Sequence, residues 1–86
     1  MQKFDHTVRD PEGIHARPAG LLVKCAQSCS SKVTIVAASG KSADAKRLFA
    51  VMGLGVKQND RITFTVEGSE ESADCEKLKA FCKESL

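Results

Sequence analysis

The chain has 86 residues, 42% hydrophobic and 28% charged, with a formal net charge of +2. That length supports one small core and one domain over residues 1–86, the balance argues against intrinsic disorder, and the charge is too small to make a nucleic-acid-coating role the default. No apolar run approaches the roughly 20 residues that span a bilayer. Residues 1–6 carry no apolar stretch of signal type, so a cytoplasmic protein without direct membrane insertion is expected. A chain this small cannot wall off a deep cavity, and any chemistry should lie near the surface and be shared with a partner.

Residues 3–8 alternate, with Phe4, His6 and Val8 on one face and Asp5 and Thr7 on the other, which predicts a strand. Asp10-Pro11-Glu12-Gly13 is a turn. From Ala16 to about Ser28 the period becomes helical, with Leu22, Cys25, Ala26 and Cys29 in one apolar stripe. Residues 32–37 predict a second strand with Val33, Ile35 and Ala37 inward, Ala38-Ser39-Gly40 a tight turn, and residues 41–43 a short returning strand. Residues 46–52 predict a short helix, ended by Gly53 and Gly55 taking positive φ. Residues 61–67 alternate with Ile62, Phe64 and Val66 inward, and Gly68 breaks the strand. Ser69 is expected to cap a last helix, Glu70 and Glu71 complement its dipole, and Cys75, Leu78, Phe81 and Cys82 form its buried stripe, with Leu86 as a last anchor.

The order β-α-β-β-α-β-α, with strands apolar on one side, predicts an α+β open-faced β-sandwich. It consists of a four-stranded antiparallel sheet covered on one face by three helices. The four cysteines, Cys25, Cys29, Cys75 and Cys82, include no Cys-x-x-Cys pair and occupy helical apolar positions. They are expected as reduced, buried thiols rather than a disulfide framework or a metal site. His6 is expected as a partly buried, hydrogen-bonded structural histidine.

The chemistry concentrates in Gly13-Ile14-His15-Ala16-Arg17-Pro18-Ala19-Gly20, between the first strand and the first helix. Pro18 is tolerated in the first turn of a helix, where its missing N–H costs nothing, so the helix starts near Ala16 and His15 takes the N-cap position. The N–H groups of Ala16, Arg17 and Ala19 are then expected to be unpaired within the helix and to form an anion site, to which Arg17 adds a guanidinium fork. The positive helix end and Arg17 are expected to disfavour the imidazolium and keep a nucleophilic nitrogen of His15 free near neutral pH. Two other classes fit less well. A pure interaction module gives His15 and Arg17 no task, and a His-dependent hydrolase would need a second catalytic group, for which no Asp, Glu or Ser stands at convincing spacing.

Gly13-Ile14-His15-Ala16-Arg17-Pro18-Ala19 resembles the active-site signature of the HPr family, the histidine-containing phosphocarriers of the bacterial phosphoenolpyruvate-dependent sugar phosphotransferase system. Lys46-Arg47-Leu48-Phe49-Ala50-Val51-Met52-Gly53-Leu54-Gly55 is similar to the family's second helix and exit turn. The resemblance covers essentially the whole chain. It implies a stoichiometric carrier rather than an enzyme. His15 would accept a phosphoryl group on Nδ1 from phospho-Enzyme I and pass it to sugar-specific Enzyme II A domains. Arg17 would contact the phosphoryl oxygens together with the backbone of Ala16 and Arg17. No metal or organic cofactor is implied, a monomer is implied, and regulators are further partners. Gly20, Leu21 and Lys24 of the first helix with Arg47, Leu48, Phe49 and Met52 of the second match the family's docking face, where an apolar patch rimmed by Lys24, Lys46 and Arg47 suits transient contact with acidic partners. The nitrogen-regulatory branch of the family shares the histidine motif. One position departs: Arg47 stands where many members carry a serine phosphorylated by a dedicated kinase, which puts that regulation in doubt.

Charge is unevenly spread. Residues 1–66 carry +5 and residues 67–86 carry −3. The basic part contains the motif, and the acidic part reads as a solvated helix face.

Overall fold

A computed structural model describes residues 1–86. The elements follow the expected order: β1 (Gln2–Thr7), α1 (Ala16–Gln27), β2 (Lys32–Val36), β3 (Ser42–Asp44), α2 (Leu48–Met52), β4 (Arg61–Glu67) and α3 (Glu71–Ser85). The four strands form one antiparallel sheet in the order β1-β4-β2-β3. β4 is therefore an inner strand, paired with β1 on one side and β2 on the other. Phe4 lies opposite Phe64, and their rings stack with centroids 5.0 Å apart.

Alternation places Val33, Ile35, Ile62, Phe64 and Val66 on the helix-covered face, each with no more than a trace of exposure. They join Ala19, Leu22, Val23 and Ala26 of α1, Val51 of α2 and Cys75, Leu78 and Cys82 of α3 in one apolar core. The opposite face is polar: Asp5 accepts a hydrogen bond from the Thr63 hydroxyl at 2.8 Å and lies 4.0 Å from Arg61. This is the open-faced α+β sandwich expected from the alternation.

Several local expectations need correction. α2 begins at Leu48 rather than at Lys46. The Asp44 carboxylate accepts the Lys46 N–H at 2.9 Å and the Asp44 carbonyl accepts the Arg47 N–H, so Ala45 and Lys46 form a turn and Arg47 is the N-cap. Gly53 does not take positive φ: it stays right-handed at −67°, and Gly55, at +66°, turns the chain. Glu70, not Ser69, precedes the first turn of α3, and neither residue caps it through a side chain. Cys25 and Phe81 are half-buried rather than fully buried. His6 Nε2 is buried without a hydrogen-bond partner, contrary to the expected satisfied histidine.

The cysteines are free thiols. Burial pushes the Cys82 thiol up to about 12, with a smaller contribution from Cys25, and burial likewise raises Cys25 and Cys29. A protonated thiol is a poor nucleophile, which agrees with packing rather than chemistry. Asp74 is the buried charged residue. Its carboxylate accepts the Ser31 N–H at 3.0 Å, and the polar groups of Ser31 hold it below the usual carboxylate range against the opposing effect of burial.

Candidate functional site

The site is built on the β1–α1 connection. Asp10 reverses the chain: its Oδ1 accepts the Glu12 N–H at 2.9 Å and its carbonyl accepts the Gly13 N–H at 2.9 Å. Gly13 has φ +68°, and a Cβ there would lie 2.2 Å from the Val56 carbonyl oxygen. That close approach lets the next residue, Ile14, donate its N–H to the same Val56 carbonyl at 3.1 Å. The loop is thus pinned to the segment before β4, and Ile14 is buried beneath it.

His15 follows with extended backbone (φ −92°, ψ −173°) at the N-cap of α1, and its side chain makes no cap hydrogen bond. Its carbonyl accepts the Ala19 N–H at 2.9 Å. Ala19 is therefore not one of the free donors, contrary to expectation: at the fourth helical residue the ordinary i→i−4 bond already forms. Ala16 and Arg17 are exposed, and their N–H groups remain the unpaired donors of the first turn. Pro18 is buried in that turn, where it forfeits no backbone bond. Arg17 takes part in none of the molecule's ion pairs, so its guanidinium is uncommitted.

Two residues that sequence reasoning missed also meet here. His15 Nε2 lies 3.3 Å from a Glu12 carboxylate oxygen and 3.8 Å from one of Asp10. The site is not purely cationic, and the histidine does have acidic neighbours. His15, Arg17, Asp10, Glu12, Pro18 and Leu21 line a shallow depression of about 380 Å³, with Ser85 at its far edge. The side chain of His15 keeps 35% of its surface exposed, so an incoming group can reach it without a change of fold.

The expected docking residues divide between two neighbouring surfaces. On α1, Leu21 and Lys24 are exposed, and Gly20 has open space over its Cα. On α2, Phe49 is 84% exposed, Arg47 is exposed, and Leu48 and Met52 are half-buried against the core. Arg47, Leu48 and Phe49 line a second shallow depression, distinct from that of His15, and α1 packs against α2 between the two. Lys46 does not belong to the free basic rim. Its Nζ donates to the Cys29 carbonyl at 3.0 Å, which commits the cation within the fold. No cluster of His, Cys, Asp and Glu has the make-up to hold a metal ion, and no helix is long and apolar enough to cross a membrane.

Residues 2–84 match the family model described as the PTS HPr component phosphorylation site. The chain belongs to the HPr family. It is 39% identical over 80 residues to the phosphocarrier protein HPr of Mycoplasma genitalium, covering 93% of this chain and 91% of that one. It is 43% identical over 81 residues to HPr of Buchnera aphidicola subsp. Baizongia pistaciae, covering 94% of each. Among solved structures, a histidine-containing phosphocarrier protein from Mycoplasma superposes with a TM-score of 0.91 at 31% identity, covering 96% of this chain and 93% of that one. HPr proteins are phosphocarriers of the sugar phosphotransferase system rather than catalysts, and the open four-stranded antiparallel sheet with three helices is the fold of the HPr structures this chain superposes on.

Proposed function

We propose that residues 1–86 act as a single HPr domain that accepts a phosphoryl group on His15 Nδ1 from phospho-Enzyme I and passes it to Enzyme II A domains. The observation that carries this reading is the half-buried, accessible imidazole at the N-cap of α1, beside the free N–H groups of Ala16 and Arg17 and an unpaired Arg17 guanidinium. In the step, the Nδ1 lone pair forms a bond to phosphorus while the donor's bond to phosphorus breaks, and that electron pair stays with the donor. Onward transfer is the reverse step with a new acceptor. Charge on the phosphoryl oxygens is met by backbone donors and by Arg17, groups that need no reorganisation when the phosphoryl group arrives.

Gly20, Leu21, Lys24, Arg47, Leu48, Phe49 and Met52 are the proposed docking residues. A small apolar patch with a basic edge supports weak, fast binding to acidic surfaces, as a carrier that must leave each partner requires. Arg47 at the N-cap of α2 offers no hydroxyl to a seryl kinase.

The test is incubation with Enzyme I, magnesium and phosphoenolpyruvate. The expected product is one acid-labile phosphoryl group mapped to His15. A His15→Ala variant should fold normally and take up none; uptake by that variant would overturn the assignment.

A further inference from the structure

The carrier reading leaves Asp10 and Glu12 without a task, yet both converge on one atom of the proposed acceptor. Their carboxylate oxygens approach His15 Nε2 to 3.8 and 3.3 Å. The backbone that carries both residues is held in place. The Asp10 side chain is fixed by accepting the Glu12 N–H, and the loop is held by Gly13 and Ile14 against Val56. Nδ1, by contrast, makes no cap hydrogen bond.

A neutral imidazole carries one N–H and one lone pair, and its neighbours decide which nitrogen has which. Neither carboxylate accepts a hydrogen bond from the ring, so their effect is one of charge: two anions within about 4 Å of Nε2 disfavour a lone pair there and favour a proton. We infer that Glu12, supported by Asp10, is a positioning residue that holds the proton of His15 on Nε2 and thereby leaves the Nδ1 lone pair as the nucleophile. Transfer at Nδ1 then needs no proton movement. The N–P bond forms, the ring becomes cationic with its proton still on Nε2, and it returns to neutral when the bond's electron pair comes back to Nδ1 on onward transfer. The two carboxylates thus sit at the nitrogen where the ring's positive charge can be balanced, and the phosphoryl group sits at the other. The catalytic significance rests on the carrier reading, but the proton position does not.

The proton position is read directly from the two ring nitrogen shifts in long-range ¹H–¹⁵N spectra of the full chain, with the imidazole in its neutral form. In the unaltered protein nearly all of His15 should carry its proton on Nε2. An Asp10→Asn/Glu12→Gln double variant should show a lower Nε2–H share, and Glu12→Lys a lower one still, because a cation there favours the lone pair. Dispersed amide spectra will confirm folding, which the 75% exposure of Glu12 leads one to expect. With phospho-Enzyme I the double variant should lose about fivefold in the rate of uptake, with KM within twofold, the scale of exposed charge pairs. Ring shifts identical across all variants would overturn the inference, as would altered shifts with an unaltered rate. Absence of uptake by the unaltered chain would instead remove the carrier reading, while the ring shifts would still decide where the proton lies.

Discussion

Gly13 shows how one residue without a side chain positions another that has chemistry. Its φ of +68° and the absence of a Cβ allow the chain to lie on the Val56 carbonyl, and from there His15 is delivered to the start of α1. Gly13→Ala combines a left-handed backbone with a Cβ only 2.2 Å from the Val56 carbonyl oxygen, so a loss of about 3 kcal/mol is expected in a urea melt. A loss below about 0.5 kcal/mol would mean that the loop is not anchored in this way. Phosphoryl uptake by the folded fraction should also slow, because the loop that presents His15 would move. The same geometry explains what sequence reasoning could and could not read here. Pro18 in a first helical turn and the His15–Arg17 spacing locate the N-cap without coordinates. The approach of Asp10 and Glu12 to Nε2 depends on a reversal three residues long, and alternation patterns carry no information about where turn side chains point. An acidic residue at His−3 and another at His−5 across an Asx-turn was the available signal.

At the scale of elements, α2 separates packing from exposure over three residues. Val51 is fully buried and Phe49 is 84% exposed. Val51→Ala should cost about 2 kcal/mol in a denaturant melt, from lost burial and the cavity left behind. Phe49→Ala should leave the melt unchanged within about 0.5 kcal/mol and weaken binding to Enzyme I by about tenfold, measured by calorimetric titration with unphosphorylated partners. Equal affinity of the Phe49 variant would remove α2 from the proposed docking face. β1, β2 and β4 were legible from a period of two over a half-buried sheet, and β3 from the tight turn before it. The start of α2 was less so. Lys46 and Arg47 are good helix formers in the right phase, but the Asp44 carboxylate takes the Lys46 N–H and Lys46 itself reaches the end of α1 at Cys29. For the same kind of reason Ser69 was a sound cap by composition, yet Gly68 and Glu70 supply the carbonyls that the Glu71 and Asp74 N–H groups use. Competing local hydrogen bonds, rather than propensity, moved both boundaries by one or two residues.

For the whole molecule, the side-by-side packing of α1 and α3 puts buried thiols in the path of alkaline unfolding. An ordinary thiol has a value of 9.0, and Cys82 in the folded chain stands at about 12. Between those values the unfolded chain has lost its proton and the folded chain keeps it, so the folded state binds more protons and stability falls as pH rises. The slope expected from Cys82 is about 1 kcal/mol per pH unit above pH 9. Cys82→Ala should flatten the decline in urea midpoint between pH 9 and 10.5 relative to the unaltered chain, leaving the smaller contributions of Cys25 and Cys29. Parallel declines in both proteins would show that the thiol is not buried as described. The sheet order has a consequence of another kind, for synthesis. β4 is the last strand to leave the ribosome and the one that joins β1 to β2. Until residues 61–67 emerge, β1 has no partner, the β2–β3 hairpin has a bare edge, and the Phe64 ring that Phe4 stacks on is missing. The loop bearing His15 is translated well before that strand and seated only as it emerges, because it docks on Val56 at the approach to it. A nascent chain therefore carries its histidine motif well before it can present it.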